Sequence, residues 1–227
     1  PSLLRTVDRA TMRAPLGIEG RPPFFGRDVW NAWELSWLNR RGRPETAVAR
    51  LDVPADSPRL VESKALKLYL GSFAQTSFAG RAEVRRTIEQ DVASVTDAAV
   101  SVRLLTLEAV AADGVGRLPG ICLDEQDVAC DAYALDPELL ALDGHGAVAE
   151  RVYSDLLRTR CPVTDQPDVG SVHIDYAGPR IDHASLLRYL VSYRRHSGFH
   201  EETVERIFMD LHARCRPQRL TVAACFL

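Results

Sequence analysis

Two eight-residue stretches of this chain share one pattern. Leu66-Lys67-Leu68-Tyr69-Leu70-Gly71-Ser72-Phe73 and Leu186-Leu187-Arg188-Tyr189-Leu190-Val191-Ser192-Tyr193 both read L-x-x-Y-L-x-S-aromatic, offset by 120 residues. A further phenylalanine follows each copy, Phe78 and Phe199. Self-similarity at this scale is the mark of one supersecondary unit used twice. A chain of 227 residues has room for two small domains of that kind.

The flanking patterns agree with a duplication. In the first half, Asp28 to Leu38 reads as a strand, Asn39 to Pro44 as a turn, and Thr46 to Val53 as the next strand. Leu66, Tyr69, Leu70 and Phe73 form one helical face, and Val84, Ile88, Val92 and Val95 a second. Val100, Val102 and Leu104 begin another strand. The second half repeats the order: strands over Arg151 to Arg158 and Ser171 to Tyr176, then a helix capped by Asp182 and running through Tyr193. A helix carrying Val204, Ile207, Phe208 and Leu211 follows, then a strand carrying Leu220, Val222, Ala224 and Phe226. Each half is β-β-α-α-β at least, an α+β class with antiparallel sheets. The expected boundaries are 1–111, a Gly-, Asp- and Ala-rich connector over 112–149, and 150–227.

Composition narrows function mainly by exclusion. The net charge of −3, with both signs interspersed, gives no electrostatic reason to expect nucleic acid or a membrane surface. No apolar run reaches the ~20 residues that span a bilayer, and PSLLRTVDRA lacks the apolar stretch of a signal peptide. Five scattered cysteines do not read as a disulfide framework, and the absence of CxxC and HExxH argues against a metal site. A reducing, cytoplasmic setting is expected.

The halves differ where chemistry can reside. Val61-Glu62-Ser63-Lys64 opens the first helix of the first half, where the second half has Ile181-Asp182-His183-Ala184. Cys161-Pro162-Val163-Thr164-Asp165-Gln166-Pro167-Asp168 forms a loop between strands where the first half has a short turn near Gly42. Phe199-His200-Glu201 opens the last helix where the first half has Phe78-Ala79-Gly80. Such complementary differences suit a composite site. Cys161, flanked by Arg160, is a candidate thiolate, although a cysteine taken alone is more economically a packed core residue. Asp168 is a candidate acid or an ordinary turn residue. Glu62 and Glu201 are either helix-start compensation or acceptors for the paired N–H donors of a guanine-like edge. Lys64 is a phosphate or ribose partner or merely solvated, and Trp30, Trp33 and Trp37 read as core or interface.

ESKALKLYLGSF, CPVTDQPDVGS, SGFHEETVERIFMDL and DVWNAWELSWLN, taken in combination, resemble the long, two-domain form of the 7-cyano-7-deazaguanine reductases, the QueF family of queuosine biosynthesis. The resemblance runs from about Pro15 to the end and is weaker over roughly 110 to 150. It implies two tandem tunnelling-fold domains, related to those of GTP cyclohydrolases, in a cytoplasmic homodimer. The implied enzyme reduces the nitrile of the free 7-deazaguanine base to an amine with two NADPH, through a Cys161 thioimide. By motif it makes Cys161 the nucleophile and Asp168 the proton donor. Val61, Glu62, Ser63, His200 and Glu201 take substrate-binding positions, and Ser63 and Lys64 cofactor-binding ones. Members of the family continue past the last strand with an Arg-Arg-Gly-Gly segment. This chain stops at Leu227, so an incomplete NADPH site beside a formed base pocket is expected. Two rivals stand beside it: a metal-dependent cyclohydrolase or pterin-handling enzyme on the same fold, and a non-enzymatic purine- or tRNA-binding module.

Overall fold

The computed structural model describes residues 1–114 and 116–227 and divides into two compact units, Pro1–Gly116 and Arg117–Leu227. The first contains β1 (Thr6–Asp8), α1 (Arg9–Arg13), β2 (Arg27–Leu38), β3 (Pro44–Pro54), β4 (Arg59–Val61), α2 (Ser63–Gly71), α3 (Arg81–Thr96), β5 (Ser101–Leu105) and α4 (Leu107–Asp113). The second contains β6 (Ile121–Cys122), β7 (Leu142–Arg160), β8 (Pro167–Ile181), α5 (His183–Ser192), α6 (His200–Cys215) and β9 (Arg219–Phe226).

Each unit is built the same way. A long antiparallel hairpin receives its third strand beside the second hairpin strand, giving the orders β2-β3-β5 and β6-β7-β8-β9. Two helices connect the hairpin to that third strand. The short β6 pairs in parallel with β7, and β1 pairs with β4 in a separate ribbon. Neither the ribbon nor α1 was expected from sequence, because three-residue strands carry too little alternation to show a period.

The correspondence extends to single residues. The first hairpin strand carries a one-residue bulge in each unit, between Ala32 and Leu35 and between Ser154 and Leu157. An isolated parallel bridge ties Leu38 to Ser77 in one unit and Arg160 to Ser197 in the other. The Tyr69 hydroxyl donates to Asp91 at 2.7 Å and that of Tyr189 to Asp210 at 2.6 Å. The hydroxyls of Ser72 and Ser192 each reach back to those tyrosines' carbonyls at 2.6 Å. The L-x-x-Y-L-x-S-aromatic motif therefore marks one polar clip, used twice. The Tyr and its following aromatic meet edge-on in both copies.

Each unit has its own core. Leu35, Trp37, Leu51, Leu66, Phe73, Ile88 and Val92 belong to one, and Val152, Leu157, Ile174, Leu186, Tyr189, Ile207 and Leu211 to the other. Trp37 is fully buried, as its core reading required, whereas Trp33 at the β2 bulge is 60% exposed.

Of the stretch read as a connector, 112–149, residues 117–149 belong to the second unit. Leu123 and Leu140 lie in the second core, and β7 begins at Leu142 rather than near Arg151. The carboxylate of Asp124 accepts from the Ser154 hydroxyl at 2.6 Å and the Asp155 amide at 2.9 Å, satisfying the β7 bulge. These residues escaped detection because the start of β7 is largely solvent-exposed, leaving no apolar alternation to read. Likewise β8 runs Pro167–Ile181, beyond the Ser171–Tyr176 expectation, since its polar ends are held by main-chain pairing with β7.

Gly120 is the tightest point in this packing. Its φ is +113°, and a Cβ there would lie 2.3 Å from the Arg151 carbonyl oxygen. Gly120→Ala is expected to cost on the order of 2–4 kcal/mol, because strain and a backbone clash coincide. Chemical unfolding measures the loss, and an unchanged midpoint would show that this segment is not docked on β7.

Candidate active site

The β7–β8 hairpin positions the reactive candidates. Arg160 pairs with Pro167 and Thr159 with Asp168, so Cys161 and Asp168 stand at the same end of one antiparallel ladder. The intervening loop is closed on itself. The Cys161 amide donates to the Gln166 carbonyl at 2.8 Å, and the Asp165 amide donates to the Cys161 carbonyl at 2.9 Å. Asp165 adopts the left-handed conformation, φ +59°, which Asp tolerates better than most residues. Cys161 is 8% exposed. The Arg160 guanidinium forms an ion pair with Asp165, so the positive charge expected to favour a Cys161 thiolate is partly neutralised.

Asp168 meets His200. The His200 Nε2 lies 3.3 Å from the Asp168 carboxylate, with both side chains partly exposed. The imidazole stacks flat on Phe226 of β9, centroids 3.9 Å apart and planes within 6°. An imidazole facing a carboxylate at this distance can pair with it, an arrangement that can relay protons. Glu201 occupies the first turn of α6, whose N-cap, Phe199, supplies no side-chain bond. Burial pushes the Cys215 thiol up to about 11, so it stays protonated and structural.

The first unit carries the other predicted residues. Val61 packs its side chain into the first core, and its strand pairs with β1. Glu62 caps α2 through both oxygens, accepting from the Lys64 amide at 3.0 Å and the Ala65 amide at 2.7 Å. Capping does not exhaust a carboxylate, since each oxygen keeps a second lone pair. The cap instead orients those pairs, as Asp182 does for α5 through Ser185. Ser63 and Lys64 follow on exposed positions. Ser63 also borders a groove of about 270 Å³ between the β2 bulge and α2, lined with Trp30, Trp33, Leu66 and Lys67.

Sequence reasoning missed a buried ionic cluster beside the Cys161 loop. Glu202, 8% exposed, accepts from Arg206 at 2.9 and 3.1 Å and lies 3.6 Å from the His196 Nε2. Burial works to raise the Glu202 pKa, but His196 and Arg206 more than offset it, and the carboxyl titrates below its ordinary value. Burial raises that of Asp210, against the lowering effect of the Tyr189 hydrogen bond. The available signal was a Glu and an Arg four apart on a helix whose buried face they share.

Comparison with known proteins shows the family of this chain. A family model described as nitrile reductase, 7-cyano-7-deazaguanine-reductase N-term, matches residues 1–104, and one described as QueF-like protein matches residues 167–227. The NADPH-dependent 7-cyano-7-deazaguanine reductase of Burkholderia lata is 53% identical over 224 residues, 98% of this chain and 82% of the relative. Proteins of the same name from Burkholderia orbicola and Burkholderia multivorans are 52% and 51% identical with the same coverage. The chain belongs to the 7-cyano-7-deazaguanine reductase family, QueF.

The Glu202 cluster has a pH signature. A depressed carboxyl pKa contributes stability that is present above the ordinary glutamate range and is lost as pH falls through the depressed value. Glu202→Gln should therefore flatten the acid limb of the stability curve relative to wild type. Parallel curves from pH 6 to pH 3 (roughly the span in which a glutamate titrates) would show that Glu202 is not held as an ion.

Proposed function

We propose that this protein reduces the nitrile of 7-cyano-7-deazaguanine to 7-aminomethyl-7-deazaguanine with two NADPH, for queuosine synthesis, acting as a homodimer in the cytoplasm. The fold assigned is a tandem pair of tunnelling-fold domains of the GTP cyclohydrolase type. The observation that carries the reading is the β7–β8 hairpin end, where a sheltered Cys161 stands beside an Asp168 already paired to His200.

The chain's own groups divide the work. Cys161 Sγ, as thiolate, attacks the nitrile carbon, and one π bond of the C≡N becomes a lone pair on nitrogen. Asp168 delivers a proton to that nitrogen, giving a neutral thioimide, and His200 replenishes Asp168. When bound, NADPH supplies hydride to the activated carbon, once before and once after the C–S bond breaks. Departure of Cys161 regenerates the thiolate between those events, and the same acid protonates the amine. The shelter of Cys161 keeps water from the carbon while it is activated. Glu62 and Glu201 are each assigned as a carboxylate acceptor for N–H donors of the base, Val61 as a further substrate-binding position, and His200 adds a ring contact. Ser63 and Lys64 serve the cofactor's phosphates or ribose. The cyclohydrolase and binding-module rivals give no role to the Cys161, Asp168 and His200 grouping.

Intact-mass spectrometry of protein mixed with 7-cyano-7-deazaguanine, before NADPH is added, should show one covalent adduct on wild type and none on Cys161→Ala. An adduct that survives in the alanine variant sinks the assignment. Asp168→Asn should fold and lose at least about a hundredfold in turnover, the usual scale of acid catalysis. A near-normal rate would transfer the acid role to another group.

A further inference from the structure

The start of α6 raises a question of energy. Its first turn carries His200 and Glu201, and its N-cap offers no side chain to hold it. What anchors it is the turn over residues 196–198. Gly198 lies so close to the Glu202 carboxylate that a Cβ would come within 2.1 Å of Oε2. The turn is thus wrapped on Glu202, which Arg206 grips from one turn further along the helix. The other side of the same turn holds the nucleophile loop. The Arg160 amide donates to the His196 carbonyl at 2.8 Å, and the Gly198 amide donates to the Arg160 carbonyl at 3.2 Å. Cys161 is the next residue.

The first unit provides an internal control. The same main-chain clamp exists there: the Leu38 amide donates to Thr76 at 2.9 Å, and the Phe78 amide donates to Leu38 at 2.9 Å. The topological equivalents of Tyr193, His196, Glu202 and Arg206 are Phe73, Thr76, Glu83 and Thr87. Glu83 accepts a single bond from the Ala79 amide at 2.5 Å, at an exposed position. The fold therefore forms this turn without a buried ion cluster. Burying charge is costly even when it is paired, and a purely structural role is met more cheaply by apolar packing. In the second unit the cluster is extended through the His196 ring, edge-on to Tyr193 at 5.4 Å, and the Tyr193–Tyr189–Asp210 hydroxyl chain.

We propose that Glu202, gripped by Arg206 and faced by His196, is a positioning residue for the reaction. It sets the turn that presents His200 and Glu201 on one side and clamps the Cys161 loop through Arg160 on the other. This rests on the roles given above to Cys161, His200 and Glu201.

The test compares wild type, Glu202→Gln, His196→Gln and the first-unit control Glu83→Gln, each checked for cooperative unfolding. Adduct formation with 7-cyano-7-deazaguanine is followed by stopped mixing and intact mass. KM is measured separately for the base and for NADPH. Glu202→Gln should slow adduct formation on the order of ten- to a hundredfold, the scale of a misplacement of about 1 Å. It should raise KM for the base and leave KM for NADPH unchanged. His196→Gln, which keeps the Glu202–Arg206 pair, should show the same split more weakly and serves if Glu202→Gln does not fold. Glu83→Gln should lose stability without moving either quantity. Wild-type adduct rates in a folded Glu202→Gln or His196→Gln overturn the proposal, as does an equal slowing by Glu83→Gln. A wild type that forms no adduct overturns the reaction assignment instead.

Discussion

The antiparallel pairing of β7 with β8 fixes which residues of the second unit can act together. Nineteen residues of one strand are matched to fifteen of the other, with a bulge between Ser154 and Leu157. A slip of one residue would exchange the faces of every side chain. Because register is set by main-chain bonds and by the buried faces of Val152, Leu157, Val172 and Ile174, Cys161 and Asp168 are brought to the same end of the hairpin. The turn over residues 196–198, bonded on both sides of Arg160, extends that constraint to α6. His200 is placed by the consequences: Phe226 of the adjacent β9 supports its ring, and Asp168 receives its nitrogen.

Duplication separates what the scaffold needs from what chemistry needs. Bulge, bridge, serine clip and tyrosine–carboxylate bond recur in both units, so they belong to the scaffold. The Cys161 loop occurs where the first unit has a tight turn, and His196, Glu202 and Arg206 occur where the first unit has Thr76, Glu83 and Thr87. The capping carboxylates Glu62 and Asp182 share a scaffold role, yet only Glu62 is followed by Ser63 and Lys64. A residue can thus serve the fold and still be available to a ligand, because a cap uses one lone pair per oxygen.

Among the described residues, no helix is long and apolar enough to cross a membrane. The surface instead carries the groove beside Trp33, open and lined by mixed aromatic and polar groups. Family membership at 51–53% identity accounts for the four motifs, while residues 117–149, within the stretch where the resemblance is weakest, supply structure to the second unit.

Local pattern determined much of this protein. Heptad-like spacing at Leu66, Tyr69, Leu70 and Phe73, alternation at Leu220 to Phe226, and the capping role of Asp182 are properties of a few neighbouring residues, so they were legible directly. Cys161 and Asp168 stood out as candidates because the repeat made their loop anomalous. Four things were decided only by the tertiary structure. They are the extension of β7 to Leu142, the docking of Asp124 on a bulge, the pairing of Asp168 with His200, and the burial of Glu202 among His196 and Arg206. Each depends on residues distant in sequence or on the face a charge happens to turn inward. Electrostatic and main-chain partnerships of that kind leave no period in the sequence, because they select for one geometry at one place rather than for a repeated apolar surface.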